Sequence, residues 1–164
     1  MQEGQASWQV GADEATATAI ARQHRHALAA PHTKQAAARG ELLTLADHAG
    51  QPVAFADFHR RADGQITIYA IAVAADQQAQ GAGRYLLALL ADLPGATCLL
   101  ARCPVDLASN GWYQRLGFTL ADVEQPTGKR ALNVWRLDLP APALVTSGKY
   151  VTEVALALAE HNGG

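Results

Sequence analysis

One stretch, QITIYAIAVAADQQAQGAGRYLLALLADL from Gln65 to Leu93, constrains the fold more than any other. Ile66 to Val73 is apolar on both faces and rich in β-branched residues, the pattern of a strand covered on both sides. Leu86, Leu89, Leu90 and Leu93 follow at i, i+3, i+4 and i+7, a helical stripe suited to packing on a sheet. Between them lies a short polar loop, Gln78-Ala79-Gln80-Gly81-Ala82-Gly83, leading into Arg84. It brings a run of backbone N–H groups to the open N-terminus of the helix. Such an end has unpaired donors and a partial positive charge, which suits a phosphate or pyrophosphate. Glycine matters there because a side chain would hold phosphate oxygens away from the amides.

Several readings of this loop compete. It could be a tight strand-to-helix turn with no ligand. A dinucleotide fold needs GxGxxG, but Leu86 stands at the third position and no acidic residue follows about twenty positions on at a strand end. A nucleotide P-loop needs GxxxxGK[ST], which is absent. The stretch resembles the coenzyme A signature of the GNAT acetyltransferase superfamily, [Q/R]-x-x-G-x-[G/A]. Gln78, Gly81 and Gly83 fill its defining places, and Val73 stands five residues before Gln78, where that superfamily ends its central strand with Val. Ala79 departs from it, since members often carry another glycine there.

The rest of the chain supplies an order of elements. Trp8 to Val10 reads as a short strand, and Asp13 as the N-cap of a helix running to about Leu28. Ala17, Ile20, Ala21, His24 and Leu28 share one face of it. A second helix ends at Gly40. Strands are expected over Glu41–Ala46 and Pro52–His59, and an Asp63-Gly64 turn leads into the central strand. Pro94-Gly95 breaks the central helix, Thr97–Ala101 is a buried strand, and Asp106 is placed to cap a helix through Leu116. Phe118–Val123 and Ala131–Leu139 form a last hairpin. The order β-α-α-β-β-β-α-β-α-β-β describes an α/β chain (α+β mixed). With the loop signature, it implies a GNAT-like acyl-CoA N-acyltransferase fold, a mixed central sheet of about six or seven strands flanked by helices. The resemblance covers residues 1–140 as one domain. Residues 141–164 form a C-terminal extension in which Val151, Val154, Ala155 and Leu158 keep helical spacing. That amphipathic helix either packs on its own domain or makes a homodimer contact.

A second segment carries chemistry. Trp112-Tyr113 and Gly117-Phe118 fill the family's [F/Y/W]-Y-x-x-x-G-F pattern, whose Tyr lies near the coenzyme A sulfur and often acts as general acid. A phenol suits that role, because amine attack on a thioester expels a thiolate that a nearby O–H can protonate. Many members place Asn seven residues before this Tyr, where Asp106 stands here; Asn110 is a second candidate contact with the coenzyme. The Glu or Asp that many members carry on the central strand is replaced by Tyr69 and Ala70. Candidate bases are therefore Asp57 and His59 on the preceding strand, or His24, His26 and His32 around the helix-helix connection. Glu124 and Lys129 read as solvated loop charges.

The resemblance implies transfer of acetyl from acetyl-CoA, as co-substrate and without a metal, to a primary amine by direct attack in a ternary complex. Backbone groups of Ile71, Ala72 and Val73 would hold the pantetheine and polarise the thioester, and those from Gln78 to Arg84 the pyrophosphate. The acceptor, a small molecule or a protein amine, is not legible. The rival class is a non-catalytic acyl-CoA-binding module, favoured by the missing strand carboxylate. Composition narrows the rest. The 164 residues carry 49% hydrophobic and 17% charged side chains, as a folded domain does. A net charge of −2 and a pI near 6.3 give no footing for nucleic acid. No apolar run approaches the roughly 20 residues of a membrane span. The N-terminal residues lack a secretory pattern, so a cytoplasmic protein is expected, with Cys98 and Cys103 as reduced thiols.

Overall fold

Asp13 fixes where the first helix begins. In the computed structural model, which describes residues 8–24, 33–78 and 80–140, its carboxylate accepts from Thr16 N–H at 3.2 Å and from the Thr16 hydroxyl at 2.5 Å. These bonds hold the Asp13 carboxyl below the ordinary carboxylate range. The helix, α1 (Glu14–Gln23), buries Thr16, Ala17, Ile20 and Ala21 and ends at His24, short of the Leu28 that apolar spacing suggests. Leu28, with His26 and His32, lies outside the described residues. Helix α2 (Thr33–Arg39) ends in a Schellman turn: Gly40, at φ 72°, donates to Ala37 C=O at 3.1 Å, and Glu41 N–H to Ala36 C=O at 2.8 Å.

The strands are β1 (Gln9–Gly11), β2 (Leu42–Ala46), β3 (Pro52–Arg60), β4 (Gln65–Val73), β5 (Cys98–Pro104), β6 (Thr119–Glu124) and β7 (Leu132–Asp138). They form a seven-stranded sheet in the order β1-β2-β3-β4-β5-β7-β6. The expected α+β order is the observed one. Helix α3 (Ala82–Ala91) supplies the crossover that the parallel pair β4–β5 requires. That pairing runs from Gln65–Cys98 to Ile68–Ala101, and β4 then continues to Val73. The turn between β3 and β4 depends on Gly64, at φ 92°. A Cβ there would sit 2.4 Å from the Gly95 carbonyl oxygen.

The chain divides into two compact units. The first combines the described residues up to Phe58 with those of Ala70–Leu86. Its core joins α1, α2 and β2–β3 through Ala17, Ile20, Ala21, Ala36, Leu42, Phe55 and Ala74. The second combines His59–Tyr69 with the described residues from Leu87 to Pro140. There Leu99, Leu116, Phe118, Val134 and Trp135 are buried, and helix α4 (Ser109–Arg115) packs on β5 and β6. Burying a Leu or Phe of this kind stabilises a fold by about 1.5–3 kcal/mol.

Three local expectations need correction. Asp106 does not cap α4: the helix starts three residues later with Ala108 as N-cap, and no side chain caps it. The Asp106 carboxylate instead takes the Arg130 guanidinium at 2.6 Å, which holds its carboxyl below the ordinary range. Glu124 is not a free loop charge but closes β6 on Arg102 Nε at 2.9 Å. The fifth strand runs on to Pro104, beyond Ala101, because β7 pairs along its whole length.

Candidate functional site

The first group of candidate residues surrounds the end of β4. Val73 C=O receives His24 Nε2 at 2.9 Å. A carbonyl only accepts, so Nε2 carries the proton in this bond. The preceding residue, Gln23, accepts from Ala75 N–H through Oε1 at 2.8 Å, and Ala74 N–H donates to Val53 C=O at 2.7 Å. Two successive side chains at the end of α1 thus pin Val73–Ala75 just before the loop. A short 3-10 turn (Ala75–Gln77) follows, and Gln78, in extended backbone, folds its amide back toward Val73 C=O at 3.5 Å. Ile71, Ala72 and Val73 are half-buried, and Gln80 is exposed. Ala79 lies outside the described residues.

Gly81 has φ 85°, and nothing lies within 4 Å of where its Cβ would be, so the space over it is open. Tyr85 N–H bonds Gly81 C=O at 2.9 Å. The N–H groups of Ala82, Gly83 and Arg84 are therefore in the first turn of α3, where helical geometry provides no acceptor. That turn holds no acidic residue. Arg84 Nε is buried without a hydrogen-bond partner among the described residues. Buried donors are normally satisfied, so an unpaired guanidinium N–H beside an acid-free helix N-terminus fits an anionic ligand. Trp8 packs on Tyr85 in the same unit, with ring centroids 5.4 Å apart.

The second group centres on Tyr113, which α4 carries and which is 6% exposed. Its ring meets Trp112 and Phe118 edge-on at 5.1 and 5.3 Å and stacks on Trp135 at 6.5 Å with an 18° tilt. Burial pushes the Tyr113 hydroxyl well above the ordinary phenol value, with the nearby Cys103 adding to it. Burial likewise raises Cys103 itself, whose sulfur is 3.2 Å from the Ser109 hydroxyl. Tyr113 therefore stays a proton donor throughout the neutral range. Cys98 is also buried, and both thiols are free.

Asn110, considered as a coenzyme contact, is committed inside the protein. Its Nδ2 donates to Pro104 and Leu107 carbonyls, each at 2.8 Å. Its Oδ1 accepts from Asn133 Nδ2 at 3.0 Å and Trp135 Nε1 at 2.8 Å. Two donors and two acceptor sites are the whole capacity of this side chain.

The candidate bases separate on burial. Asp57 is 3% exposed and lies 3.6 Å from Arg39, which also bonds the buried Glu41 at 2.7 Å. A buried carboxylate whose guanidinium partner reaches the surface fits a structural ion pair better than proton shuttling. His59 is half-buried on β3. Tyr69 is 58% exposed on β4, and Ala70 half-buried. Sequence reasoning missed the roles of Gln23, Asn133 and Trp135. Only the shared face of Asn133 and Trp135, two apart on β7, was readable beforehand.

Comparison with known proteins identifies the class. Residues 39–120, half of the chain, match the family model described as an acetyltransferase (GNAT) domain. The chain belongs to the GNAT acetyltransferase family. Its fold is shared with the ribosomal-protein-S18-alanine N-acetyltransferase from Escherichia coli, at TM-score 0.63 and 23% identity over 85% of this chain and 100% of that one. It is also shared with yncA from Salmonella typhimurium, solved with its cofactor acetyl-CoA, at 0.60 and 22% over 85% and 98%. A third relative is N-acetylglutamate synthase from Neisseria gonorrhoeae, complexed with coenzyme A and N-acetyl-glutamate, at 0.67 and 20% over 84% and 36%. No curated protein sequence matches this chain.

Proposed function

We propose that this protein transfers the acetyl group of acetyl-CoA to the nitrogen of a primary amine, by direct attack in a ternary complex. The observation that carries the reading is the N-terminus of α3, with the open, positive-φ Gly81, an acid-free first turn and the unpartnered, buried Arg84 Nε. Gln78, Ala79, Gln80, Gly81, Ala82, Gly83 and Arg84 are assigned to the pyrophosphate, which their amides and the Arg84 guanidinium suit by charge. Ile71, Ala72 and Val73, beyond the last β4–β5 pair, are assigned to the pantetheine arm and the thioester carbonyl. A preorganised N–H donor at such a carbonyl stabilises the transition state by about 3–4 kcal/mol. When bound, acetyl-CoA supplies an activated acyl thioester.

Tyr113 is the proton donor to the leaving sulfur. Its raised pKa keeps the proton on the hydroxyl at neutral pH, and among the described residues none hydrogen-bonds that hydroxyl. A primary amine as acceptor is supported by two fold relatives whose names specify N-acetylation, one of an alanine of ribosomal protein S18 and one holding N-acetyl-glutamate. Residues 1–140 are read as the catalytic domain and 141–164 as an extension. The test is a panel of amines (amino acids, polyamines, aminoglycosides, peptide N-termini) with acetyl-CoA, reading thiol release. Saturable release with one class supports the enzyme. Tight coenzyme binding with no release from any amine would favour the binding module.

A further inference from the structure

Asn110 sits at the second position of α4, three residues before Tyr113, and ties three parts of the second unit together. Its amide donates to the end of β5 at Pro104 and to the turn at Leu107, and accepts from Asn133 and Trp135 of β7. The orientation is unambiguous: two carbonyls can meet only the NH₂ side, and an indole N–H only the oxygen. Trp135 in turn lies nearly parallel to the Tyr113 ring at 6.5 Å. We infer that Asn110 is a positioning residue for Tyr113, acting through the Trp135 indole it holds. The inference rests on Tyr113 being the proton donor.

The physical reason is geometric. A proton donor works only when its hydroxyl is held at the sulfur, and a misplacement of about 1 Å can cost roughly a hundredfold in rate. Tyr113 has no hydrogen bond of its own among the described residues to fix that hydroxyl. Its aim therefore depends on the ring cage. Phe118 is fixed by chain neighbourhood, since Phe118 N–H bonds Tyr113 C=O at 3.1 Å. Trp135 comes from a separate strand, and its side chain has one hydrogen bond, the one to Asn110 Oδ1. Removing the Asn110 side chain frees the indole, while the half-buried Pro104 and Leu107 carbonyls keep their backbone donors, Leu107 N–H at 3.1 Å and Asn110 N–H at 3.2 Å.

The experiment combines Asn110→Ala and Trp135→Phe, each alone and in a Tyr113→Phe background, with the best amine from the acceptor panel. Asn110→Ala should lower kcat about tenfold or more and leave the Kd for coenzyme A within about threefold, as displacement of one group from the reacting geometry predicts. In the Tyr113→Phe background the same change should cost less than about twofold, because interacting sites are not additive. Trp135→Phe keeps an aromatic ring beside Tyr113 and removes the N–H together with the pyrrole half of the indole. It should repeat the pattern at about threefold in kcat, so the test survives if Asn110→Ala fails to fold. In the apoprotein, Asn110→Ala should move the Trp135 indole ¹⁵N–H resonance and speed its solvent exchange, while those of Trp8 and Trp112 stay. Equal losses in both backgrounds, an unmoved Trp135 resonance, or coenzyme affinity falling in step with kcat would overturn the inference. Unchanged turnover in Tyr113→Phe alone would overturn the proton-donor reading as well, so the two failures are distinguishable.

Discussion

His24 Nε2 donates to the carbonyl of Val73 across 2.9 Å, joining the end of α1 to the last residue of the central strand. With Gln23 on Ala75 N–H, it holds the backbone from which the coenzyme loop departs. Without His24 the half-buried Val73 carbonyl keeps only the 3.5 Å approach of the Gln78 amide, and the lost hydrogen bond costs about 0.5–1.5 kcal/mol. His24→Leu should therefore lower Tm by several degrees, about 2–4 °C per kcal/mol for a chain of this size. Coenzyme affinity should weaken with it, and His24→Gln, which keeps a donor, should lose less of both. Thermal melts and calorimetry on the two variants check this; equal behaviour of Leu and Gln would show that the bond contributes nothing.

Gly81→Asp separates helix stability from ligand binding. No atom obstructs a side chain there, though φ 85° strains any L-residue by about 1–2 kcal/mol. A carboxylate at a helix N-terminus offsets about 0.3–1 kcal/mol of that. The fold should survive with a small drop in Tm, while affinity for acetyl-CoA should fall well over tenfold, about 1.4 kcal/mol per decade, as the carboxylate meets the pyrophosphate. Calorimetry that finds wild-type affinity in this variant would remove the loop from the coenzyme site.

Tyr113→Phe deletes one hydroxyl inside an aromatic cage and should leave coenzyme binding almost unchanged. Loss of a general acid costs about 10²–10⁴-fold in turnover. Steady-state rates and coenzyme titrations on the pair decide it; equal turnover would mean that solvent protonates the thiolate.

The same hydroxyl predicts an alkaline signature. Its folded pKa is raised, so above about pH 10 the unfolded chain gives up this proton first. The native state then holds more protons, and stability declines as pH rises from there. Denaturant unfolding at pH 8 and pH 11 should show a smaller loss for Tyr113→Phe than for wild type. An equal loss in both would show that the burial has no such consequence.

Deprotonation of the acceptor should not depend on a central-strand carboxylate, since Tyr69 and Ala70 stand there and Asp57 is paired with Arg39. With an alkylamine of pKa about 10.4, kcat/KM should keep climbing through pH 8 and 9 as free amine accumulates. A break near neutrality that ignores the amine's own pKa, and disappears when His24, His32 or His59 is replaced, would instead identify a histidine base.

Short-range pattern alone determined a large part of this protein. Apolar periodicity placed the central strand and α3, Asp13 and Gly40 marked helix ends through capping geometry, and Asp63-Gly64 marked a turn. Each is decided within a few residues of itself. The Gln78-Gly81-Gly83 spacing and Tyr113 were readable for the same reason, because they sit at fixed offsets on a loop and a helix. Asp106 misled because the helix begins at Ser109, beyond the reach of a cap at that position, and its exposed carboxylate meets Arg130, 24 residues away. The tertiary structure alone decided that β7 lies between β5 and β6, that His24 reaches a carbonyl 49 residues on, and that Asn110 bonds an indole 25 residues on. Such partners are chosen by which strand lies beside which. Side-chain hydrogen bonds, which reach only about 3 Å, register that choice only after packing has made it.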